Sequence, residues 1–394
     1  MIITLVTDQY YQNNHGTSVS AQRFTMGLEK LGHTVRVVAI DPTQNTEFAL
    51  KERNFGKPAN NIIHSQGMQL GKPDEEVLKR AIKGADIVHV YLPFKLGYKT
   101  IQLCREMNVP CSAGFHIVPE NITSTLYLNK SKLVNGCLWK HFKESTYKYI
   151  NHIHCPSLMV ANQLKKHNFN ADLHVISNGY NDIFVKREES KPDFFHDKIV
   201  INFVGRFSRE KRYDLIIKAV NTSKYRDKIQ LVFGGKGPTK KKIMKMARKL
   251  PNYPIFAFLN RTQQISLLNF SYLYIHPADF EVEGLTAIEA IACGCVPIVS
   301  DSETSAVSQF TTHKKSLFKH GDYKDLAEKI DWWIEHPEEH EKEREKVVEH
   351  AKKYTIEKSM PYYIEMFEAA IKDWNKDFNF KKGERKPNII NNYK

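Results

Sequence analysis

Ile199-Val200-Ile201-Asn202-Phe203-Val204-Gly205-Arg206-Phe207-Ser208-Arg209-Glu210-Lys211 begins as a β-branched, apolar run and breaks at a glycine. A short run of this kind bounded by Gly reads as a buried strand. Tyr213–Val220 then carries apolar residues at helical spacing, and Ile229–Phe233 is again short and apolar. Strand, loop, helix and strand make one βαβ unit, whose strands run parallel. The alternation continues C-terminally through strands Pro254–Phe258, Tyr272–Ile275 and Val296–Ser300, with helices Gln263–Phe270 and Leu285–Cys293 between them. N-terminally the same pattern gives strands Ile2–Thr7, Thr34–Ile40, Asp86–Tyr91, Val109–Phe115, His152–Cys155 and His174–Ile176, with a helix over Ser18–Leu31. A polar stretch without apolar period, Lys186–Asp197, follows Asn178-Gly179 and reads as a linker. The expectation is an α/β protein of two doubly wound domains facing a central cleft. Residues 1–185 form the N-terminal domain and 186–358 the C-terminal one. Residues 359–380 form a helix packing back on the N-terminal domain, and 381–394 a loose basic tail.

The chain has 394 residues and a formal net charge of +14. Such length calls for more than one core. The excess charge is +6 over residues 1–190 and +8 over the rest, so it is spread rather than held in a tail. It asks for an anionic partner: nucleic acid, a membrane surface or a phosphorylated substrate. No nucleic-acid motif is present, so no nucleic-acid partner is expected. No apolar run approaches the roughly 18 residues of a membrane span. Met1–Thr7 has no basic leader and reads as a strand rather than a signal peptide. The six cysteines form no CxxC pair, so neither a zinc framework nor a disulfide framework is indicated, and a reduced, cytoplasmic setting is expected. Residues 126–149 interleave Lys130, Lys132, Lys140, Lys143 and Lys148 with Leu126, Tyr127, Leu128, Trp139, Phe142, Tyr147 and Tyr149. Two readings of this segment stand side by side: contact with an anionic membrane, or a solvated helix whose aromatics face the core. The basic run Lys236–Lys249 reads best as a solvated face.

In doubly wound folds, ligands bind at the carboxyl ends of the strands. Three loops there are distinctive. The first runs Asp8-Gln9-Tyr10-Tyr11-Gln12-Asn13-Asn14-His15-Gly16-Thr17-Ser18. Gly16 opens a helix whose free N–H groups suit phosphate, although an ordinary helix start has the same residues. The absence of GxGxxG argues against a nicotinamide-dependent dehydrogenase. The second loop places Arg206 and Lys211 after a strand end, a fork and a point charge for phosphate oxygens, or simply a pair of surface cations near Glu210. The third is His276-Pro277-Ala278-Asp279-Phe280-Glu281-Val282-Glu283-Gly284-Leu285-Thr286-Ala287-Ile288-Glu289-Ala290. Gly284, Leu285 and Thr286 supply backbone donors at a helix N-terminus. Glu289 sits in an otherwise apolar run, where an ionised carboxylate needs hydrogen-bond donors: sugar hydroxyls or a neighbouring loop.

Gly205-Arg206…Lys211 followed by Glu281-x7-Glu289 resembles the retaining nucleotide-sugar glycosyltransferases of the GT-B fold, family 4. The likeness extends to the Gly16 loop, Phe115-His116, Val175–Gly179, Gly234-Gly235-Lys236-Gly237-Pro238 and Ala290–Pro297, from about Met1 to Phe367. Glu283 departs from the family's more apolar residue and forms an acidic cluster with Asp279 and Glu281, to which a cation is a conceivable partner. His15-Gly16-Thr17, His116…Pro119-Glu120-Asn121 and Glu281–Gly284 are similar to bacterial diacylglycerol glucosyltransferases. The resemblance implies two Rossmann-like domains and a hexosyltransferase with no cofactor and no metal. The donor is a nucleotide sugar such as UDP-glucose, and the acceptor a lipid or saccharide. In that scheme Arg206 and Lys211 stabilise the leaving diphosphate, with Gly16 and the Gly284–Thr286 helix start beside it. Glu281 holds the donor sugar, Glu289 the ribose, and His116 faces the sugar across the cleft. Without the resemblance, His116 reads as an interior histidine. The protein would sit in the cytoplasm, peripheral on the inner face of the plasma membrane. The alternatives are a family 4 enzyme acting on a cell-wall or capsular polysaccharide, or a non-catalytic accessory subunit of the same fold.

Overall fold

The computed structural model describes residues 1–11, 16–65, 67–378 and 386–393. Among these the chain divides into two compact units. One is Met1–Gly179 with Ile356–Lys394, and the other is Tyr180–Thr355.

The first unit is built on eight strands: β1 (Ile2–Val6), β2 (Thr34–Ile40), β3 (Ala49–Leu50), β4 (Ile87–Val90), β5 (Cys111–Gly114), β6 (His152–Cys155), β7 (Asp172–Val175) and, from the end of the chain, β14 (Asn388–Asn391). Their order across the sheet is β14-β7-β6-β5-β4-β1-β2-β3, and every pairing is parallel. The central strands β4, β5 and β6 are buried along their whole length, as expected when helices cover both faces of a parallel sheet. Helix Gly16–Lys30 packs on the sheet beside helix Ile356–Lys372, through a core that includes Leu5, Phe24, Leu28, Tyr91, Met360, Tyr363 and Phe367.

The tail expected to be loose is not so over Asn388–Asn391. These residues pair with β7, Asn388 opposite Asp172 and Asn391 opposite Val175. Ile389 and Ile390 find a receptive sheet edge, an interaction invisible to local pattern. Residues 381–385 and Lys394 lie outside the described residues, as do 12–15 of the first loop. Residues 180–185, expected in the N-terminal domain, join the second unit, where Tyr180 N–H donates to the Tyr354 carbonyl at 3.1 Å, and residues 356–358, expected in the C-terminal domain, join the first.

The second unit carries β8 (Ile199–Val204), β9 (Ile229–Gly234), β10 (Ile255–Ala257), β11 (Leu273–His276), β12 (Val296–Ser300) and β13 (Leu317–Phe318). They are ordered β10-β9-β8-β11-β12-β13, again all parallel. The strand order reverses between β8 and β11, and in this class of sheet the crevice for a ligand opens beyond the carboxyl ends at such a point. The loops after β8 and β11 are the ones carrying Arg206, Lys211 and Glu281.

The basic–aromatic segment divides. Trp139, Phe142 and Tyr147 are buried, with Trp139 stacked on Phe115 at 5.3 Å. Leu126, Tyr127, Leu128 and Leu133 are exposed, Tyr127 and Leu133 by 75% and 78%, with Lys130 and Lys132 exposed beside them. Helix Lys240–Ala247 turns Ile243 and Ala247 inward and leaves Lys241, Lys242 and Lys245 in solvent, which accounts for that basic run. Among the described residues no helix is long and apolar enough to cross a membrane.

Candidate active site

In the second unit the backbone after β8 is held by the glycine-rich loop after β9. Gly205 N–H donates to Gly234 O and Phe207 N–H to Lys236 O, both at 2.8 Å. Gly235 lies at φ 144°, and a Cβ there would sit 2.0 Å from the Gly205 carbonyl oxygen, so only glycine permits this approach. The Gly234–Pro238 motif therefore shapes the loop that presents Arg206.

Arg206 Nη2 lies 3.1 Å from Glu210 Oε1, and the buried Ser208 hydroxyl donates to the same oxygen. Lys211 Nζ pairs with Glu281 Oε2, which joins the loop after β8 to the loop after β11. His276, at the end of β11, brings Nε2 within 3.3 Å of the same Glu281 oxygen, and its Nδ1 lies 3.0 Å from Tyr274 Oη. Burial works to raise the Glu281 carboxyl, but the Lys211 ammonium and His276 override it and hold the group well below the usual carboxylate range. Burial pushes the His276 imidazole down, toward its neutral form.

Arg212 Nη1 meets Asp279 Oδ1 at 2.8 Å, and His320 Nε2 meets the same oxygen at 2.9 Å. Two members of the 279–283 acidic cluster are thus already engaged by basic side chains. Glu283, the third, is 1% exposed. Among the described residues no metal-ligand grouping forms around this cluster.

Helix Leu285–Ala292 starts at Gly284, whose φ of 97° is left-handed. A Cβ there would lie 2.7 Å from Val307 Cγ1 and 3.5 Å from Glu281 Cγ, so the helix N-terminus opens directly beside the Lys211–Glu281 pair. The first N–H groups of a helix have no intrahelical acceptor and carry its positive dipole end. Glu289, in the second turn, is 2% exposed. It accepts from Gln264 Nε2 at 2.6 Å, and Arg261 Nη1 lies 3.4 Å away. Both donors come from helix Arg261–Phe270. The buried carboxylate is therefore supported by protein donors.

Gly16 and His116 belong to the first unit. Gly16 is exposed, and a Cβ on it would meet nothing within 4 Å, so its backbone is open to approach. His116 follows β5, stacks on Tyr91 at 3.8 Å and lies 5.0 Å from the His154 ring. It is buried, yet Nε2 has no hydrogen-bond partner among the described residues, unlike a satisfied interior histidine. Burial, and then the neighbouring His154 and His89, hold it well below the ordinary histidine range.

Sequence reasoning missed several side chains that organise these loops. His276, Ser208, Arg212 and Gln264 carried no distinguishing spacing, although His276 could have been found as the last residue of a strand. Asp8, two residues beyond β1, was also passed over. Burial raises its carboxyl to about 7, although Gly71 N–H donates to it at 2.7 Å.

Two parallel doubly wound sheets with paired cations and carboxylates at one switch point define a GT-B architecture. The sequence matches the model for Glycosyl transferases group 1 over residues 185–354 and that for Glycosyltransferase Family 4 over residues 15–182. The chain belongs to this family of GT-B glycosyltransferases, and it is a hexosyltransferase by class. It is 24% identical to the alpha-monoglucosyldiacylglycerol synthase of Streptococcus pneumoniae, over 76% of this chain and 71% of that one. It is 23% identical to a GDP-mannose-dependent alpha-mannosyltransferase of Mycolicibacterium smegmatis, over 76% and 79%. Among solved structures, Anabaena HepE in complex with UDP-glucose superposes with a TM-score of 0.70 at 13% identity, covering 94% of this chain and all of that one.

Proposed function

We propose that this glycosyltransferase moves a hexose, with retention of anomeric configuration, from UDP-glucose or a similar nucleotide sugar to a membrane glycolipid acceptor such as diacylglycerol. The observation that carries the proposal is the Lys211–Glu281 pair, set beside the helix start at Gly284, with Arg206 in the same loop as Lys211. As the bond from sugar to diphosphate breaks, negative charge builds on the β-phosphate. Arg206, Lys211 and the N–H groups at Gly284–Thr286 offset it in a half-buried setting where such charges act strongly. In exchange for Lys211, Glu281 takes donor-sugar hydroxyls, and Glu289 takes the ribose. The leaving phosphate accepts the proton of the acceptor hydroxyl on the same face, so no protein base and no metal is required.

The lipid acceptor rests on the exposed Leu126, Tyr127, Leu128 and Leu133 with their neighbouring lysines, a composition suited to an anionic interface. On this reading the protein works peripherally at the cytoplasmic face of the membrane. The name of the pneumococcal relative supports a glucolipid product, while the mycobacterial relative's name points to a different donor.

Thermal shift against a panel of nucleotide sugars, followed by turnover of the best donor, tests the proposal. Transfer to diacylglycerol in anionic vesicles, and not to oligosaccharides, is the expected result. Turnover with oligosaccharides alone would reassign the acceptor, and no turnover of any donor would leave a binding subunit.

A further inference from the structure

We propose that His152, Asp172 and Asp373 form a site for a divalent transition cation of the zinc class, fastening the C-terminal end of helix Ile356–Lys372 to the sheet. All three lie in the first unit and none belongs to the donor site, so the proposal is independent of the transfer reaction.

The ligand atoms of these three side chains lie within 4.8 Å of one another. His152 Nε2 is 3.2 Å from Asp373 Oδ2. A tetrahedral zinc with bonds of about 2.0–2.1 Å separates its ligand atoms by roughly 3.3 Å. One edge of the site therefore already has its final length, and the other separations are at most 4.8 Å. His152 and Asp172 are register partners on the adjacent strands β6 and β7, which fixes their backbones side by side.

The surroundings also fit a cation. His152 Nδ1 lies 2.9 Å from His174 Nε2. With a metal on Nε2, Nδ1–H donates to His174, the arrangement that orients most metal-bound histidines. Both rings are buried, whereas Asp373 is 49% exposed, which leaves room for water as a fourth ligand. Asp373 follows the last residue of the helix, where the macrodipole is negative and favours a cation. Two carboxylates and a neutral imidazole balance a dication, and the nitrogen ligand selects zinc-like ions over magnesium or calcium. The site would also brace the chain end, because Asn388 of β14 donates to Asp172 Oδ1 at 3.1 Å. The ligands come from positions 152, 172 and 373, so no local spacing advertises them.

The test is a zinc titration of the full, chelator-stripped chain against a chromophoric competitor. Wild type should take up one zinc per chain, unaffected by millimolar magnesium. Asp373→Asn keeps an acceptor for His152 and so preserves the fold, which circular dichroism checks. It should bind zinc at least about tenfold more weakly, and Asp172→Asn likewise. X-ray absorption of the zinc-loaded wild type should show a nitrogen and oxygen shell with imidazole scattering. Absence of stoichiometric uptake, wild-type affinity in either variant, or a sulfur-containing shell would overturn the proposal.

Discussion

Lys211→Met removes one charge from the centre of the candidate site and leaves the side-chain length nearly intact. Lys211 and Glu281 are 18% and 16% exposed, so the pair is largely shielded from solvent. Removing one partner of a buried pair costs about 3–5 kcal/mol. The lower end of that range is expected, because His276 lies 3.3 Å from Glu281 and can take up a proton to replace part of the lost charge. The pH dependence has a definite sign. In wild type the folded Glu281 titrates below its unfolded value, so its stabilising contribution is present above about pH 4.5 and is lost as pH falls further. In the variant, burial acts without Lys211 and the folded carboxyl protonates at higher pH. The stability gap between wild type and variant is therefore widest near neutrality and narrows on acidification. For catalysis, an electrostatic stabiliser of the leaving group contributes at least about 100-fold, or roughly 2.7 kcal/mol of barrier. Urea unfolding at pH 7 and pH 5, with donor turnover at pH 7, measures both effects. A variant with wild-type turnover and an unchanged unfolding midpoint would refute the reasoning, since neither charge would then be acting on the other or on the donor.

Further predictions concern the surrounding residues. Glu289→Ala removes a buried acceptor of Gln264 and the proposed ribose contact, and steady-state kinetics should show at least about a 100-fold loss in kcat/KM for the donor, from a folded protein. Gly284→Ala places a Cβ 2.7 Å from Val307 Cγ1 at a left-handed φ, which should cost about 1–3 kcal/mol in chemical denaturation and weaken UDP binding. Burial holds His154 at about 4, and holds His89 and His116 well below their ordinary range. Their folded values lie below the unfolded one of about 6.5, so the first unit should keep its full stability above pH 6.5 and lose it progressively toward pH 4, as melts across that range will show. On the proposed mechanism Arg206 and Lys211 supply the charge opposite the diphosphate, so transfer should persist in EDTA; loss of activity restored by a divalent ion would point instead to the 279–283 carboxylates.

The strands of both sheets were legible because buried parallel strands are short apolar runs between loops. Ile2–Val6, Ile199–Val204 and Val296–Ser300 show this directly. β3 and β13 are two residues each, too short for any periodicity, and β14 forms through its pairing with β7. The Lys211–Glu281 contact spans 70 positions, yet both residues could be placed because each follows a strand on one side of the switch point. The support of Glu289 by Gln264 and Arg261 was not legible, since nothing local links two successive helices. Within 126–149 the sequence could not say which aromatics face inward. The Phe115 stack decides that for Trp139, while Tyr127 and Leu133 stay in solvent.

The central claim is that the cations at the end of β8 act on a nucleotide-sugar diphosphate during transfer to lipid. Radiolabelled UDP-glucose incubated with the protein and anionic vesicles containing diacylglycerol tests it most directly, with Arg206→Ala and Lys211→Ala assayed in parallel and the product's anomeric configuration read by NMR. The account predicts label in the lipid fraction as the α-anomer, reduced at least about 100-fold in each variant. A β-linked product, or transfer that survives both substitutions, would contradict it.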